Sequence, residues 1–247
     1  MSLLLEAKRP AVARPRVFSV PKVRGQANED AWQFSRKGVV ALSDGASVSF
    51  DSRSWARILV RHYARSPCFS EAWLASAVAE FATLYDRDGL SWVQQAAFDR
   101  GSFASLLGLR RRDETHIEVF AIGDSIAVLC DADRVVATFP YEAPDQFDEP
   151  PVLLSSGHAQ NAFLADRDIA TRFRTDWDIG ALAEPSLICV TDALGHWLIA
   201  HRDRQPSPVA MLRAIETRRQ FVRFVVSERE ARRLRRDDTT LLAHWDC

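Results

Sequence analysis

The apolar residues of this chain follow two kinds of spacing. Short apolar runs bounded by turn-forming residues predict β-strands, and they cover residues 16–20, 31–35, 39–43, 102–109, 116–122, 126–129, 135–139, 187–190 and 240–245. Apolar residues three and four positions apart predict α-helices, and they cover residues 54–63, 72–85, 91–98, 207–215 and 221–234. The elements therefore occur in the order strands, helices, strands, helices, strand.

This grouping predicts an α+β fold, because strands and helices that alternated one by one would indicate a parallel βαβ sheet instead. The strands between residues 102 and 139 are separated by short polar turns, and we expect them to pair as an antiparallel meander. Residues 140–151 are proline-rich and acidic, which is typical of a surface loop. Residues 1–14 show no periodicity and predict a flexible N-terminal tail, followed by one domain over residues 15–247.

The composition argues against several classes of protein. With 47% hydrophobic and 26% charged residues, the 247-residue chain has a globular composition and can bury a substantial core. Its 32 basic and 33 acidic side chains nearly cancel, which argues against a nucleic-acid binder. No apolar stretch approaches the ~20 residues of a membrane span, and the N-terminal apolar run is too short for a signal peptide, so we expect a cytoplasmic protein. The cysteines form no CxxC pair, which argues against a zinc site.

Acidic motifs stand at the ends of the predicted strands. They are Asn28-Glu29-Asp30, Asp44-Gly45, Gly123-Asp124-Ser125, Thr191-Asp192 and Asp237-Asp238-Thr239-Thr240. Each motif alone is typical of an ordinary turn or helix cap. Carboxylates at strand ends can meet at one edge of a sheet, however, and there they repel one another unless a cation neutralises them. Because Mg²⁺ and Mn²⁺ prefer oxygen ligands, the whole set of motifs predicts a divalent-metal site.

In this order the motifs resemble those of the type 2C metal-dependent serine/threonine protein phosphatases, in their shorter bacterial form. The segment Gly101-Ser102-Phe103-Ala104-Ser105 is also similar to the Gly-Ser/Thr-x-Ala strand of that family. The motifs run from residue 28 to residue 240, so the resemblance spans nearly the whole chain. It implies a four-layer αββα sandwich, in which two antiparallel sheets are flanked by helices and the metal ions lie at one edge between the sheets.

The resemblance also implies roles for the matching residues. Asp44 would bridge two Mn²⁺ or Mg²⁺ ions. The residues that would complete the two sites are Asp192 and Asp237 for one ion and, for the other, the Gly45 carbonyl, Asp30 and, through water, Glu29. A water between two such ions has a lowered pKa and attacks phosphorus without a covalent intermediate. The implied reaction is hydrolysis of phosphoserine and phosphothreonine in proteins, and the implied partners are a phosphoprotein and a cognate serine/threonine kinase system.

Several positions depart from the family pattern. The family's phosphate-binding arginine would stand at Gly25, so Arg24 and Arg16 are the two candidates for that role. The turn after the central aspartate–glycine pair contains no histidine that could act as a general acid. His196 replaces the aspartate that helps to hold a third metal ion in the family, and Asp124 is the remaining candidate ligand for such an ion.

Two other functions stay open at this point. A regulator or scaffold that keeps the fold without the activity would agree with the altered residues after Gly45 and Asp192. A hydrolase of small phosphorylated metabolites or nucleotides would agree with the weak signs of a protein-docking flap between residues 140 and 192. The sequence contains no Walker loop, no Rossmann glycine pattern and no HExxH, so nucleoside-triphosphatase and zinc-peptidase functions lack their usual support.

Overall fold

Alternating apolar residues build two five-stranded sheets in the part of the chain that this computed structural model describes, residues 15–165 and 172–244. The strands are β1 (Arg16–Val20), β2 (Ala31–Phe34), β3 (Val39–Ser43), β4 (Phe103–Ala104), β5 (Leu106–Arg111), β6 (His116–Ile122), β7 (Ile126–Asp131), β8 (Arg134–Phe139), β9 (Leu154–Ser155), β10 (Arg174–Asp178), β11 (Pro185–Val190) and β12 (Thr239–His244). The tail predicted for residues 1–14 lies outside the described residues.

The first sheet has the strand order β1-β12-β11-β7-β8, and the second has the order β10-β6-β5-β3-β2. All of their pairings are antiparallel. The helices are α1 (Ser52–Arg65), α2 (Glu71–Ala82), α3 (Trp92–Arg100), α4 (Asp192–Ala200), α5 (Pro208–Arg213) and α6 (Arg218–Glu230). Short 3-10 segments lie at Arg87–Gly89 and Pro144–Asp148, and two more 3-10 turns meet at a kink at Asn161 within His158–Ala165.

Three hydrophobic cores separate four layers. One core lies between the first sheet and helices α4 to α6, a second between the second sheet and helices α1 and α2, and a third between the two sheets. The two-residue period of a strand sends successive side chains into different cores. In β7, for example, Ile126 and Val128 face the helices while Ala127 and Leu129 face the other sheet. The αββα sandwich expected from the sequence is therefore confirmed.

Local hydrogen bonds explain where the first helices begin. The Asp51 side chain accepts from the backbone N–H of Ser54 at the start of α1. The Ser91 side chain accepts from the backbone N–H of Gln94 at the start of α3, and the Gln94 side chain accepts from the backbone N–H of Ser91, which completes a capping box. Predicted strands and helices outside residues 102–129 agree with the structure to within a few residues at their ends. No helix of the described residues has the length and apolar character needed to span a membrane.

The antiparallel meander predicted between residues 102 and 139 is wrong in its pairing. β5 pairs with β6 in the second sheet and β7 pairs with β8 in the first, so the chain crosses between the sheets at residues 123–125. Gly123 makes this crossing with a φ of 105°, a conformation that side chains disfavour. The strand predicted over 102–109 is also interrupted at Ser105, because its backbone and side chain bond to the end of β3 instead.

Other elements were missing from the sequence prediction. They are β9, β10, α4 and the 3-10 segments. The acidic loop predicted over residues 140–151 is mostly exposed, but it contains the 3-10 turn Pro144–Asp148, which packs against α4. Phe147 is the buried residue of this turn, and its ring meets His196 edge-on with centroids 5.8 Å apart. The loop therefore has a fixed contact next to the first residues of α4.

Candidate metal centre

The turns at one end of both sheets carry the acidic motifs. In the second sheet, Asp30 directly precedes β2 and Asp44 directly follows β3. Ala31 pairs with Ser43, so this register places the two aspartates at the same edge. The turn that carries Asp124 follows β6 at the end where Ile122 pairs with Leu106, the residue after Ser105.

The first sheet supplies the other two predicted aspartates. Asp192 is the first residue of α4, two residues after the end of β11, where a carboxylate also interacts favourably with the helix dipole. Asp237 lies two residues before β12, whose first residue pairs with Val20 at the end of β1. The sandwich thus brings the ends of strands that are far apart in the sequence, from Val20 at the end of β1 to Thr239 at the start of β12, to one edge between the sheets.

The mutual repulsion of these carboxylates shows that they lie close together. Burial raises the pKa of Asp44 well above its ordinary value, and the charges of Asp30, Asp192, Asp124 and Asp237 raise it further. The same five aspartates were selected from the sequence, and the structure brings all of them into electrostatic contact.

Two of these pKa values fall near neutrality. Burial, followed by the charges of Asp124 and Asp237, raises the pKa of Asp192 to about 7. Burial also raises the pKa of Asp124 to about 6, with a contribution from the charge of Asp237. The cluster therefore lacks the positive charge that would keep its carboxylates ionised, and a divalent cation would supply it.

Asp30 carries a buried oxygen that has no partner. Its Oδ2 accepts hydrogen bonds from the hydroxyls of Thr240 and Thr191, whereas its Oδ1 has no hydrogen-bond partner among the described residues. The residue is only 6% exposed, and burial together with the charges of Asp238 and Asp192 holds the pKa of its carboxyl well above the ordinary value. Hard cations bind carboxylate oxygens, and this one has no other partner, so the chemistry of the donor set fits Mg²⁺ or Mn²⁺.

The adjacent residues Asp237 and Asp238 have different hydrogen-bond partners. Asp237 lies 3.3 Å from the ammonium of Lys22 through each carboxylate oxygen. Asp238 is buried and accepts the backbone N–H groups of Lys22 at 2.5 Å and Glu29 at 2.6 Å. Asp238 therefore fixes the segment between β1 and β2, whereas Asp237 pairs with the side chain of Lys22.

Gly45 lies in a tightly packed turn. A Cβ atom at this position would lie 2.9 Å from the Cβ of Ser52, in the first turn of α1. The Ser52 hydroxyl donates to the Glu29 carboxylate at 2.8 Å, so the glycine turn also positions Glu29. On the other side, Ser105 accepts the N–H of Asp44 at 2.9 Å, and its hydroxyl lies 2.8 Å from that of Ser125.

The carboxylates have other partners in this arrangement. Within residues 15–165 and 172–244, no three His, Cys, Asp or Glu side chains are arranged so that they could hold one ion as they stand. Asp237 is turned to Lys22, Asp30 to Thr240, and Asp192 accepts the N–H of Ala193 at 2.6 Å. Metal binding would require some of these side chains to rotate toward one another.

The two candidate phosphate-binding arginines are placed differently. Arg16 is at the end of β1 that pairs with Ala243, four residues from the Val20 end, which is roughly 13 Å along a strand. Arg24 is exposed in the turn that follows β1, next to Gly25 with its φ of 87°. The left-handed conformation at Gly25 disfavours an arginine at that position. Arg24 is therefore on the cluster's side of the sheet, and Arg16 is not.

His196, which stands in place of the missing aspartate, lies in α4 four residues after Asp192. Its Nδ1 is buried without a hydrogen-bond partner among the described residues, and the ring packs against Phe147. Burial lowers the pKa of His196, and the nearby charge of Arg235 lowers it further. Asp124 lies close to Asp237 and Asp192, because the charge of Asp237 raises the pKa of Asp124 and the charge of Asp124 raises the pKa of Asp192.

Several residues that shape the site were not selected from the sequence. They are Lys22, Ser52, Ser105, Thr191, Arg229 and Asp238. Asp238 and Thr240 belong to one of the acidic motifs. The second aspartate of this motif, next to a proposed metal ligand, is a local pattern that could have indicated a structural role for Asp238. The partners of Lys22 and Arg229 depend on tertiary contacts more than 200 residues apart, and no local pattern indicates them.

Solved structures of bacterial serine/threonine phosphatases share the fold of this chain over almost its whole length. The Mycobacterium tuberculosis serine/threonine phosphatase PstP/Ppp matches with a TM-score of 0.61 and 14% identity, over 95% of this chain and 99% of that one. Serine/threonine phosphatase Stp1 from Staphylococcus aureus matches with a TM-score of 0.58 and 11% identity, over 98% and 100% of the two chains. The chain has the type 2C phosphatase fold.

The same fold occurs with metal ions bound. The catalytic domain of PstP in complex with two manganese ions matches with a TM-score of 0.57 and 14% identity, over 93% of this chain and 96% of that one. No protein-family model matches the sequence, and no curated protein does. The fold expected from the type 2C motifs is confirmed, whereas identities of this size show the fold alone.

Proposed function

We propose that this chain hydrolyses phosphoserine and phosphothreonine esters in proteins with the help of two divalent ions, Mn²⁺ or Mg²⁺. The observation that carries the proposal is the buried Oδ1 of Asp30, which has no hydrogen-bond partner among the described residues although the charges of Asp238, Asp192 and Asp237 act on its carboxyl group. In a phosphatase fold that no longer binds metal, we would expect another residue in place of this aspartate, because a buried oxygen without a hydrogen bond costs about 1–3 kcal/mol or more of folding free energy.

The residues that would hold the ions are those that the sequence motifs selected. They are Asp30, Asp44, the Gly45 carbonyl, Asp192 and Asp237, with Glu29 through water and Asp124 as the candidate for a third ion. Two bound divalent ions would supply a water of lowered pKa and stabilise negative charge on the phosphoryl oxygens. The described residues contribute the orientation: Thr240 and Thr191 hold one oxygen of Asp30, and Ser105 holds the backbone of Asp44.

For the substrate phosphate, we propose Arg24 in preference to Arg16. Arg24 is exposed and follows the cluster end of β1, where its guanidinium has no ion pair within the described residues. A guanidinium offers two parallel donors to a phosphate, which suits this role. Arg16, one strand length away, would reach the site only if β1 were displaced.

A regulatory scaffold is the second candidate function, and one observation favours it. The carboxylates are turned to protein partners, and no described group of three is ready to hold an ion. In that case Asp237 and Lys22 would be a permanent ion pair, and the cluster would remain without metal.

One assay separates these functions. The purified protein is tested on p-nitrophenyl phosphate, phosphothreonine peptides and free nucleotides, with Mn²⁺, with Mg²⁺ and with EDTA. Asp44→Asn is the site variant, and Asp203→Asn, an exposed aspartate in the turn after α4, is the matched control. We expect metal-dependent turnover that Asp44→Asn reduces at least about 100-fold and Asp203→Asn leaves unchanged.

Two outcomes would contradict the proposal. Negligible rates in every condition together with no metal binding would favour the scaffold. Rates on free nucleotides that greatly exceed those on the peptides would favour a hydrolase of small phosphorylated molecules.

A further inference from the structure

Lys22 is a basic side chain that contacts a proposed metal ligand. Its Nζ lies 3.3 Å from both Oδ1 and Oδ2 of Asp237, and the two side chains are 41% and 37% exposed. The sequence contains only three lysines among its 32 basic residues, and the other described lysine, Lys37, lies in the turn between β2 and β3. A lysine next to the cluster is therefore unusual for this chain.

The backbone of Lys22 is held on both sides. Its N–H donates to Asp238 Oδ1 at 2.5 Å, and its carbonyl accepts from the Arg229 guanidinium at 3.5 Å. Arg229 also donates to the Pro21 carbonyl at 3.1 Å and to the Thr239 hydroxyl at 2.9 Å. These contacts tie the exit of β1 to the entrance of β12, so the Lys22 side chain starts from a fixed point beside Asp237.

The charge of Lys22 acts where the cluster is short of positive charge. Asp30, Asp44, Asp124 and Asp192 each have a raised pKa, with burial as the largest cause. Asp237 has an ammonium against both of its carboxylate oxygens. Lys22 therefore supplies a positive charge to one carboxylate of the set.

We propose that Lys22 is a built-in counter-ion of Asp237, which a divalent ion must displace before it can bind there. This inference rests on the proposed function, in which Asp237 is a metal ligand. The ammonium engages both oxygens of the carboxylate, and a divalent ion on the same oxygens would face a like charge at short range. The four-carbon stem of Lys22 is partly exposed and has rotatable bonds, so the ammonium can move toward solvent while the clamped backbone stays in place.

The consequence is a metal affinity lower than the carboxylates alone would give. Removal of the Lys22 charge with little change in shape should therefore tighten metal binding, whereas removal of a supporting residue would weaken it. This sign distinguishes a competing counter-ion from a lysine that merely stabilises the turn.

Calorimetric titration with Mn²⁺ tests the inference on metal-stripped protein at constant ionic strength. Lys22→Met is the site variant, and Lys37→Met is the matched control because its charge lies in an exposed turn. We expect Lys22→Met to bind Mn²⁺ at least about threefold more tightly than the unaltered protein, which is the size of a partly exposed ion pair. Lys37→Met should bind as the unaltered protein does, and equal or weaker binding by Lys22→Met would overturn the inference.

A second measurement uses the unaltered sequence, in case Lys22→Met does not fold. Lysine side chains are dimethylated with ¹³C-formaldehyde, which preserves their charge, and the variants Lys8→Arg and Lys37→Arg identify the signals of the other two lysines, so that the Lys22 signal can be assigned. Addition of diamagnetic Mg²⁺ should shift the Lys22 signal and leave the Lys37 signal in place. A Lys22 signal that does not move at saturating Mg²⁺ would also overturn the inference.

The outcomes separate this inference from the proposed function. Tighter Mn²⁺ binding by Lys22→Met without phosphatase turnover supports the counter-ion and contradicts the phosphatase. Equal Mn²⁺ binding by both proteins with normal turnover contradicts the counter-ion alone. If neither protein binds Mn²⁺, both proposals fail.

Discussion

The hydroxyl of Thr240 donates a hydrogen bond to Oδ2 of Asp30, although the two residues are 210 positions apart. Thr240 is in β12 of the first sheet, and Asp30 precedes β2 of the second, so this bond joins the two sheets at the candidate metal centre. It also lowers the pKa of Asp30, against the larger effect of burial. The bond thus orients one carboxylate oxygen and leaves the other free for a cation.

Thr240→Val removes this donor and keeps the shape of the side chain. We expect the free energy of unfolding to fall by about 1–3 kcal/mol near pH 7, because a buried carboxylate loses its main hydrogen bond. Mn²⁺ binding should weaken as well, since the Asp30 carboxylate is no longer oriented. Chemical denaturation and calorimetric titration measure the two effects.

Thr175→Val is the control for Thr240→Val. Thr175 lies in β10, and its hydroxyl makes no hydrogen bond within the described residues. This variant should change the free energy of unfolding by less than about 0.5 kcal/mol. Equal losses of unfolding free energy in the two variants would show that the hydrogen bond from Thr240 to Asp30 contributes no more to stability than an ordinary threonine hydroxyl does.

The stability of the metal-free protein should depend on pH through the raised carboxyl pKa values. Burial and neighbouring charges raise the pKa of Asp192 to about 7, and burial raises that of Asp124 to about 6. Between about pH 4 and pH 7 the folded state therefore binds more protons than the unfolded state, so the free energy of unfolding falls as the pH rises. We expect a loss on the order of 2 kcal/mol in EDTA from pH 5 to pH 8.

Asp192→Asn isolates this effect from histidines that titrate in the same range. In EDTA its free energy of unfolding should fall less steeply between pH 5 and pH 8 and should exceed that of the unaltered protein at pH 8. Saturating Mn²⁺ should reverse the order, because only the unaltered protein keeps the full ligand set. Identical pH profiles for both proteins in EDTA would contradict the electrostatic argument.

The positions of the acidic motifs could be predicted because they lie where strand patterns end. Asp44 follows an apolar run that stops at Ser43, and Asp192 follows one that stops at Val190. The alternation of apolar residues in these strands also shows which residues face a hydrophobic core. The site's aspartates were therefore visible from local patterns and the resemblance together.

The elements that escaped prediction lack such a pattern. Helix α4 buries Ala193, Leu194, Trp197, Leu198 and Ile199, so it has almost no polar face and no amphipathic period. The crossing between sheets at Gly123 could not be predicted either, because strand pairing depends on distant partners. β6 pairs with β10, more than 50 residues further along the chain, and not with the adjacent β7.

Asp238→Ala should loosen the segment that carries Glu29 and Asp30. The buried carboxylate accepts the N–H groups of Lys22 and Glu29, and its loss leaves two backbone donors without their partner. We expect the free energy of unfolding to fall by about 2–4 kcal/mol and Mn²⁺ binding to weaken. Asp238→Asn, which keeps one acceptor oxygen, should lose less of both.

Hydrogen exchange provides the most direct measurement for Asp238→Ala. Protection of the amides of Lys22 and Glu29 should fall, while that of the β5–β6 amides stays unchanged in conditions where the protein is folded. Uniform loss of protection over both sheets would indicate global destabilisation instead of a local anchor.

Gly45→Ala should disturb the site through packing. The new Cβ would lie 2.9 Å from the Cβ of Ser52 and 3.0 Å from its carbonyl carbon and oxygen, so the first turn of α1 must move. The hydrogen bond from Ser52 to Glu29 would weaken with it. We expect a loss of about 1–3 kcal/mol in the free energy of unfolding and weaker Mn²⁺ binding.

Gly38→Ala is the informative control for Gly45→Ala, because it separates backbone strain from close packing. Gly38 has a φ of 76° and open space around its missing Cβ. Alanine there should cost roughly 1–2 kcal/mol through strain, yet it should leave Mn²⁺ affinity unchanged because the turn between β2 and β3 is at the opposite end of these strands. If both variants weakened Mn²⁺ binding in proportion to their stability, the approach of Gly45 to Ser52 would have no separate role in the metal centre.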